Sequence, residues 1–293
     1  MTGMLSKPPS VSWGSRVLDF SKKTFVMGIL NCTPDSFYPD SRKVSVDEAV
    51  RGAKDMIDSG VDIIDIGGES SRPGAEPVSE EREAERVCPV IRGIRDASLN
   101  ASEVLISVDT VKPKVADQAI EAGADMINDI SGMRCDKDMG RVAVERNVPI
   151  ILMHMRGTPR TMQKNPFYED TIEEIKSELS ECVSIAESAG VQRERIILDP
   201  GIGFGKRVVD NLIIIRDLER LKELGMPLLI GLSRKSFLES ILGLPVEERL
   251  IGTVAANTIA VLNGADIVRV HDYREGVQMA RVIDAVRKKG AAY

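Results

Sequence analysis

Short runs rich in Val, Ile and Leu recur along the chain, separated by longer segments in which apolar and charged positions alternate with helical spacing. Eight runs read as strands: Phe25 to Leu30, Asp62 to Ile66, Val104 to Val108, Asp125 to Asn128, Pro149 to Met153, Arg195 to Leu198, Pro227 to Gly231 and Asp266 to Val270. The segments between them predict helices near Val46 to Ser59, Ser79 to Arg95, Pro113 to Ala122, Lys137 to Arg146, Thr171 to Ala189, Val208 to Leu224 and Pro245 to Leu262, with a last one near Tyr273 to Lys288. Several of these helices stop at a glycine and pass at once into the next run, as at Gly60, Gly123, Gly190, Gly225 and Gly264. Short αβ connections use glycine in this way. Continuous apolar strands alternating with amphipathic helices belong to a parallel sheet covered by helices. The count of eight pairs predicts an α/β fold, a closed (β/α)8 TIM barrel in one domain. An open doubly wound sheet shares much of this pattern. Residues 1–23 read as an N-terminal extension that packs across the barrel bottom or remains partly mobile, and 24–293 as the barrel.

Composition narrows the function more than the fold. With 293 residues, 43% of them hydrophobic, the chain is long enough to bury a large core. The 39 Lys and Arg are outnumbered by 45 Asp and Glu, so no basic field attracts nucleic acid or anionic lipid, and an anionic ligand needs a local pocket. Cys32, Cys88, Cys135 and Cys182 form no Cys-x-x-Cys pair, which argues against a disulfide framework or a zinc site. The first residues carry no apolar core of signal-peptide kind, and no stretch reaches membrane length without charges, so a cytoplasmic protein is expected.

Candidate chemistry sits where the runs end, because a (β/α)8 barrel builds its active site at the carboxyl ends of its strands. Those ends carry Asn31, Asp65 and Glu69, Asp109, Asn128 and Asp129, His154, Asp199, then Ser233, Arg234 and Lys235, and finally Arg269 and His271. One such residue alone is more often a cap or a turn. All of them at one mouth would leave acceptors unsatisfied unless a ligand supplied donors, which points to a flat heterocycle rich in N–H groups, read by Asp109, Asn128 and Asp199.

Individual segments add detail. In MGILNCTPDSFYPDSR, Asn31 ends the strand and offers a neutral amide oxygen, suited beside phosphate to Mg²⁺, which keeps several waters and few protein ligands. DIGGESSRPGAEPV carries Arg72 on a long glycine and serine loop able to approach an anion. ILDPGIGFGK differs in spacing from a P-loop and has no Ser or Thr after Lys206. Its glycines turn the backbone and set Phe204 at the rim, or in the core. Lys235 in IGLSRKSF is placed to donate hydrogen bonds or to form a Schiff base. Arg269 and His271, two residues apart in IVRVHD, share a face and form a cationic corner for pyrophosphate.

Taken in order, MGILNCTPDSF, DIGGESSRPGA, ISVDT, INDISG, ILMHMRG with MQKNPFYED, ILDPGIGFGK, GLSRKSF and IVRVHD resemble the dihydropteroate synthase family of pterin-binding barrels, from Met27 to His271. The resemblance implies an enzyme that joins a pterin pyrophosphate to p-aminobenzoate with loss of pyrophosphate and uses Mg²⁺. It implies that Asp109, Asn128, Met153, Asp199, Lys235 and Arg269 hold the pterin. By the same resemblance Ser71, Arg72, Pro73, Phe204, Lys235 and Ser233 border the p-aminobenzoate slot, and Asn31, Arg72, Arg269 and His271 surround the pyrophosphate, with Asn31 on the metal. Asp35, Arg72, Lys235, Arg269 and His271 are then the catalytic set, with the loops carrying Asp35 and Arg72 closing over the reacting carbon. A homodimer through the outer helices is implied as well. Cys32, Ser71, Ile202 and the Tyr38 to Ser41 stretch depart from the family pattern. Three rival readings are a corrinoid-linked methyltransferase on the same barrel, a Schiff-base aldolase using Lys235, and a pterin-binding barrel without turnover.

Overall fold

The computed structural model describes residues 10–32, 42–70, 75–97 and 104–287, with the side chains of 42–45 left aside. Eight parallel strands form the centre: β3 (Phe25–Asn31), β4 (Ile63–Gly67), β5 (Leu105–Asp109), β6 (Met126–Asp129), β7 (Ile150–Met153), β8 (Ile196–Asp199), β9 (Leu229–Ile230) and β10 (Ile267–Val270). Each pairs with its sequence neighbours and β10 pairs with β3. The ring closes between β8 and β9 through a parallel bridge from Leu198 to Leu228 and a hydrogen bond from the Leu198 N–H to the Pro227 carbonyl. It is the closed barrel, and the open-sheet alternative falls.

Helices α1 (Arg42–Ser59), α2 (Glu80–Asp96), α3 (Pro113–Glu121), α4 (Asp138–Glu145), α5 (Thr171–Ser188), α6 (Val208–Arg216), α7 (Ser236–Leu242), α8 (Leu250–Leu262) and α9 (Tyr273–Arg287) cover the outside. Local chemistry sets their ends: Ser79 caps α2 by accepting from the Arg82 N–H, and Asp170 caps α5 by accepting from Ile172 and Glu173. Two predicted helices differ in detail. The one expected over 208–224 ends as α6 and continues as a tighter 3-10 stretch at Leu218–Leu224, and the one expected over 245–262 begins its α portion at Leu250. The separate α7 was not expected.

Strand alternation divides the core in two. Outward residues such as Ile64, Ile106, Ile127, Leu152, Leu198 and Val268 pack with the helices. Inward residues Met27, Ile63, Leu105, Met126, Ile151, Ile197, Leu229 and Ile267 fill the barrel floor. A hairpin of β1 (Ser10–Trp13) and β2 (Arg16–Asp19), turning at Gly14, plugs that floor with Val11, Trp13 and Leu18, and Phe20 follows it into the same cluster. Trp13 is buried in the plug, as is Phe20, whose ring meets Phe25 edge-on at 5.2 Å. Charges at the rim of the plug are paired: Arg16 with Asp125 at 2.9 Å, and Lys23 with Asp62.

Candidate active site

Two residues beyond five of the eight floor positions, the same inward face turns polar. Ile63 gives way to Asp65, Leu105 to Ser107, Met126 to Asn128, Ile197 to Asp199 and Ile267 to Arg269, with Met153 following Ile151. Because residues two apart on a strand share a face, this layer lies above the floor inside the barrel, at the carboxyl ends of the strands.

Arg269 organises the layer. Its Nε donates to Asp65 Oδ2 at 2.6 Å and its Nη2 to Asp109 Oδ2 at 2.7 Å. Asn128 Nδ2 donates to the same Asp65 oxygen at 3.1 Å. Asp65 is fully buried, yet its Oδ1 has no hydrogen-bond partner among the described residues, nor has the hydroxyl of Ser107, its register partner on β5. Burial pushes the Asp109 carboxyl up to about 7, against the pull of Arg269 and with the push of Asp65. Burial alone would weaken the charge on Arg269, but Asp65 and Asp109 outweigh it and hold the guanidinium above its ordinary range. The result is a wall with more acceptors than donors.

Asp199, at the end of β8, accepts from the Gly201 N–H at 2.7 Å, and burial raises its carboxyl while Lys235 partly offsets the rise. Lys235 precedes α7. Burial lowers its ammonium to about 8, Asp199 resisting, and its Nζ donates to the Ile202 carbonyl and stands 4.7 Å from the centre of the Phe204 ring. Met153 is buried with Met155 and Met162, and Phe204 packs against that cluster. Phe204 is thus a partly buried ring, with the methionine cluster on one side and the lysine on the other.

The loop carrying Phe204 depends on glycine. Gly201 and Gly205 hold φ of 67° and 65°, where a Cβ would overlap the carbonyl oxygens of His154 and Arg156 respectively. Behind the loop, Lys206 Nζ donates to the Phe204 carbonyl at 3.0 Å and lies 2.8 Å from His154 Nδ1. The other ring nitrogen of His154 meets Glu178 at 3.0 Å. Burial, then Lys206, lowers His154 to about 4, so the ring is neutral at neutral pH. Against burial, hydrogen bonds from His154 and Arg156 hold Glu178 down to about 2. His154 is therefore part of the loop's scaffold. Asp129, which accepts from Ser131 and Met133, and Arg234, which forks onto Asp272, brace other loops in the same way. These three strand-end residues hold the protein's own loops in place.

His271, exposed just past β10, meets Ser233 Oγ with its backbone N–H and its Nδ1, both at 3.2 Å. Asn31 stands exposed at the end of β3, paired in register with Gly67. Among the described residues no group of three or more His, Cys, Asp or Glu side chains is gathered for a metal. Asp35, Ser71, Arg72 and Pro73, with the two loops expected to close over the site, lie outside the described residues. Sequence reasoning assigned no ligand contact to Asp65 or Ser107, whose signal was their parity with Ile63 and Leu105, nor to Ser236. Ser236 follows Lys235 and lines a cleft of about 280 Å³ with Gln163, Gly203, Lys206 and Arg207.

A model of the pterin binding enzyme family matches residues 27–271. The chain is 50% identical over 277 residues to a dihydropteroate synthase of Clostridium beijerinckii, covering 94% of this chain and 99% of that one. Among solved structures, dihydropteroate synthase from Clostridium difficile in the presence of pteroic acid is 41% identical at a TM-score of 0.85, covering 93% of this chain and 100% of that one. The enzyme of Xanthomonas albilineans with 4-aminobenzoic acid is 39% identical at a TM-score of 0.86, covering 96% and 99%. A closed barrel, a polar layer at one mouth and likeness along nearly the whole chain agree, and the chain belongs to the dihydropteroate synthase family of pterin-binding enzymes.

Proposed function

We propose that the chain condenses 6-hydroxymethyl-7,8-dihydropterin pyrophosphate with p-aminobenzoate, yielding 7,8-dihydropteroate and pyrophosphate in folate biosynthesis. The observation that carries the reading is the acceptor-rich layer of Asp109, Asn128 and Asp199 with Lys235 and Arg269 at one mouth. Asp109, Asn128 and Asp199 accept from the N–H edge of the ring, and Lys235 donates to its carbonyl side. Met153 supports the ring from the core, and Arg269 lies over its face. The slot for p-aminobenzoate is bordered by Phe204 and Ser233, with the cleft beside Ser236 as its outer end.

The C–O bond to pyrophosphate breaks with its electrons on the departing oxygen, and Arg269 and His271 stabilise that charge. The arylamine lone pair then forms the C–N bond, and its proton passes to solvent, so no strong general base is needed. Asp35, Ser71, Arg72 and Pro73 keep the roles that the sequence resemblance implies, closing the mouth and holding pyrophosphate and p-aminobenzoate. Asn31 fits a Mg²⁺ held mostly by diphosphate and water, since one exposed amide oxygen is a small share of an octahedral shell. When bound, that ion would supply further charge stabilisation to the leaving group.

We also propose a homodimer through the outer helices, because α6 and α8 expose Leu212, Ile251, Ile259 and Leu262. Light scattering tests this. No helix of the described residues is long and apolar enough to cross a membrane, in keeping with the cytoplasmic setting proposed here. Incubation with the pterin pyrophosphate, p-aminobenzoate and Mg²⁺ should give a mass corresponding to dihydropteroate together with pyrophosphate. Pyrophosphate absent under these conditions would refute the assignment.

A further inference from the structure

Asp65 has no place among the ligand contacts that the resemblance implies, yet it connects three of them. One of its oxygens, Oδ2, receives both Arg269 Nε and Asn128 Nδ2, and Arg269 continues to Asp109. Ion-paired to Arg269, the carboxylate accepts and does not donate. Asn128 must therefore turn its amino group toward Asp65, which engages one of its two N–H donors and leaves the amide oxygen, on the other side of the group, for a ligand. An amide left to itself would offer either end.

We propose that Asp65 is a positioning residue that sets the hydrogen-bond polarity of the mouth. By fixing the Asn128 amide it makes that position an acceptor, so that Asp109, Asn128 and Asp199 all present acceptors to the ligand edge. By holding Arg269 at Nε it fixes the plane of the guanidinium against the same wall. The mouth then selects a fused pyrimidine with adjacent N–H donors over one in which an oxo group replaces the amino group. Asp65 suits this task because it is fully buried and rooted in β4 directly above Ile63, and solvent does not compete for its oxygens. The inference rests on the pterin reading given under Proposed function and adds the origin of its specificity.

The test compares two probes differing in one group: 6-hydroxymethylpterin, with a 2-amino group, and 6-hydroxymethyllumazine, with a 2-oxo group. Affinities are measured by calorimetry on the full chain, with thermal unfolding as the check on folding. The wild type should prefer the pterin, and Asp65→Asn should shrink that preference by about tenfold, the scale of one hydrogen bond reversed in a buried site. The KM for p-aminobenzoate should stay within about twofold, since the other slot does not depend on this amide. Asp65→Ser removes the charge without adding an amide and should give the same shrinkage if the asparagine variant does not fold. A preference unchanged in a folded variant would overturn the proposal, as would failure of both variants to fold, which would make Asp65 a folding residue. Wild-type protein that binds neither probe would instead overturn the pterin reading.

Discussion

The floor and the mouth of the barrel are built from the same strands, two residues apart, and differ in almost every physical respect. At the floor, Ile63, Leu105, Met126, Ile151, Ile197 and Ile267 close on Trp13, Leu18 and Phe20, and apolar surface meets apolar surface. At the mouth, Asp65, Ser107, Asn128, Asp199 and Arg269 occupy the equivalent places, and buried oxygens of Asp65 and Ser107 have no partner among the described residues. A buried acceptor without a donor costs about 1–3 kcal/mol. The floor is complete as it folds, whereas the mouth carries hydrogen-bond capacity that the protein itself does not use. One layer therefore holds the fold and the other is completed by a ligand.

The largest expected effect tests that separation from below. Trp13→Ala should lose about 3–5 kcal/mol of stability in chemical denaturation, the usual range for removing a buried aromatic, while the folded fraction keeps its KM for the pterin substrate. At the mouth the balance should reverse. Lys235→Ala should weaken 6-hydroxymethylpterin binding by about 2–3 kcal/mol, on the order of 100-fold, as a charged donor is lost from a buried site. Its thermal midpoint should hold or rise, because the substitution also removes a desolvated charge.

A smaller effect should appear in the pH dependence of pterin affinity. Asp109 must be ionised for both its oxygens to accept, one from Arg269 and one from the ligand, and with its carboxyl at about 7 the affinity should fall as pH drops below that value. Lys235 must keep its proton to act as a cation, and with its ammonium at about 8 the affinity should fall above that value. Calorimetry across this range should therefore give a maximum between the two, with limbs of up to about tenfold per pH unit. A flat profile would separate these two groups from the ligand.

Local physics made much of this legible in the sequence. All eight barrel strands lie within a residue or two of where the apolar runs place them, because each is a buried run ended by a polar residue or a glycine. The hairpin at Ser10–Trp13 and Arg16–Asp19 escaped because each strand has four residues, too short for alternation to stand out. Helix α7 escaped for the same reason, having seven residues. Within the site, strand ends drew attention to Asp109, Asn128, Asp199, Lys235 and Arg269, and all of these lie at the mouth. What the strand ends could not reveal was how these groups divide their hydrogen bonds. Arg269 and Asp65 are 204 residues apart, and their pairing follows from the closing of the ring between β10, β3 and β4. Nor does the sequence distinguish His154 from Arg269, since both lie near the carboxyl end of a strand. Only the packing shows that His154 is fully enclosed between Lys206 and Glu178.

The claim that the mouth is finished by a donor-rich ligand is tested most directly by titrating wild-type protein, Asp109→Asn and Asp199→Asn with 6-hydroxymethylpterin in the calorimeter. Wild-type protein should bind, and each variant should remain folded at the assay temperature yet lose at least about tenfold in affinity, since each exchanges an acceptor for a group that also donates. Equal affinity in all three proteins, or a loss that merely follows a loss of folded structure, would contradict the account.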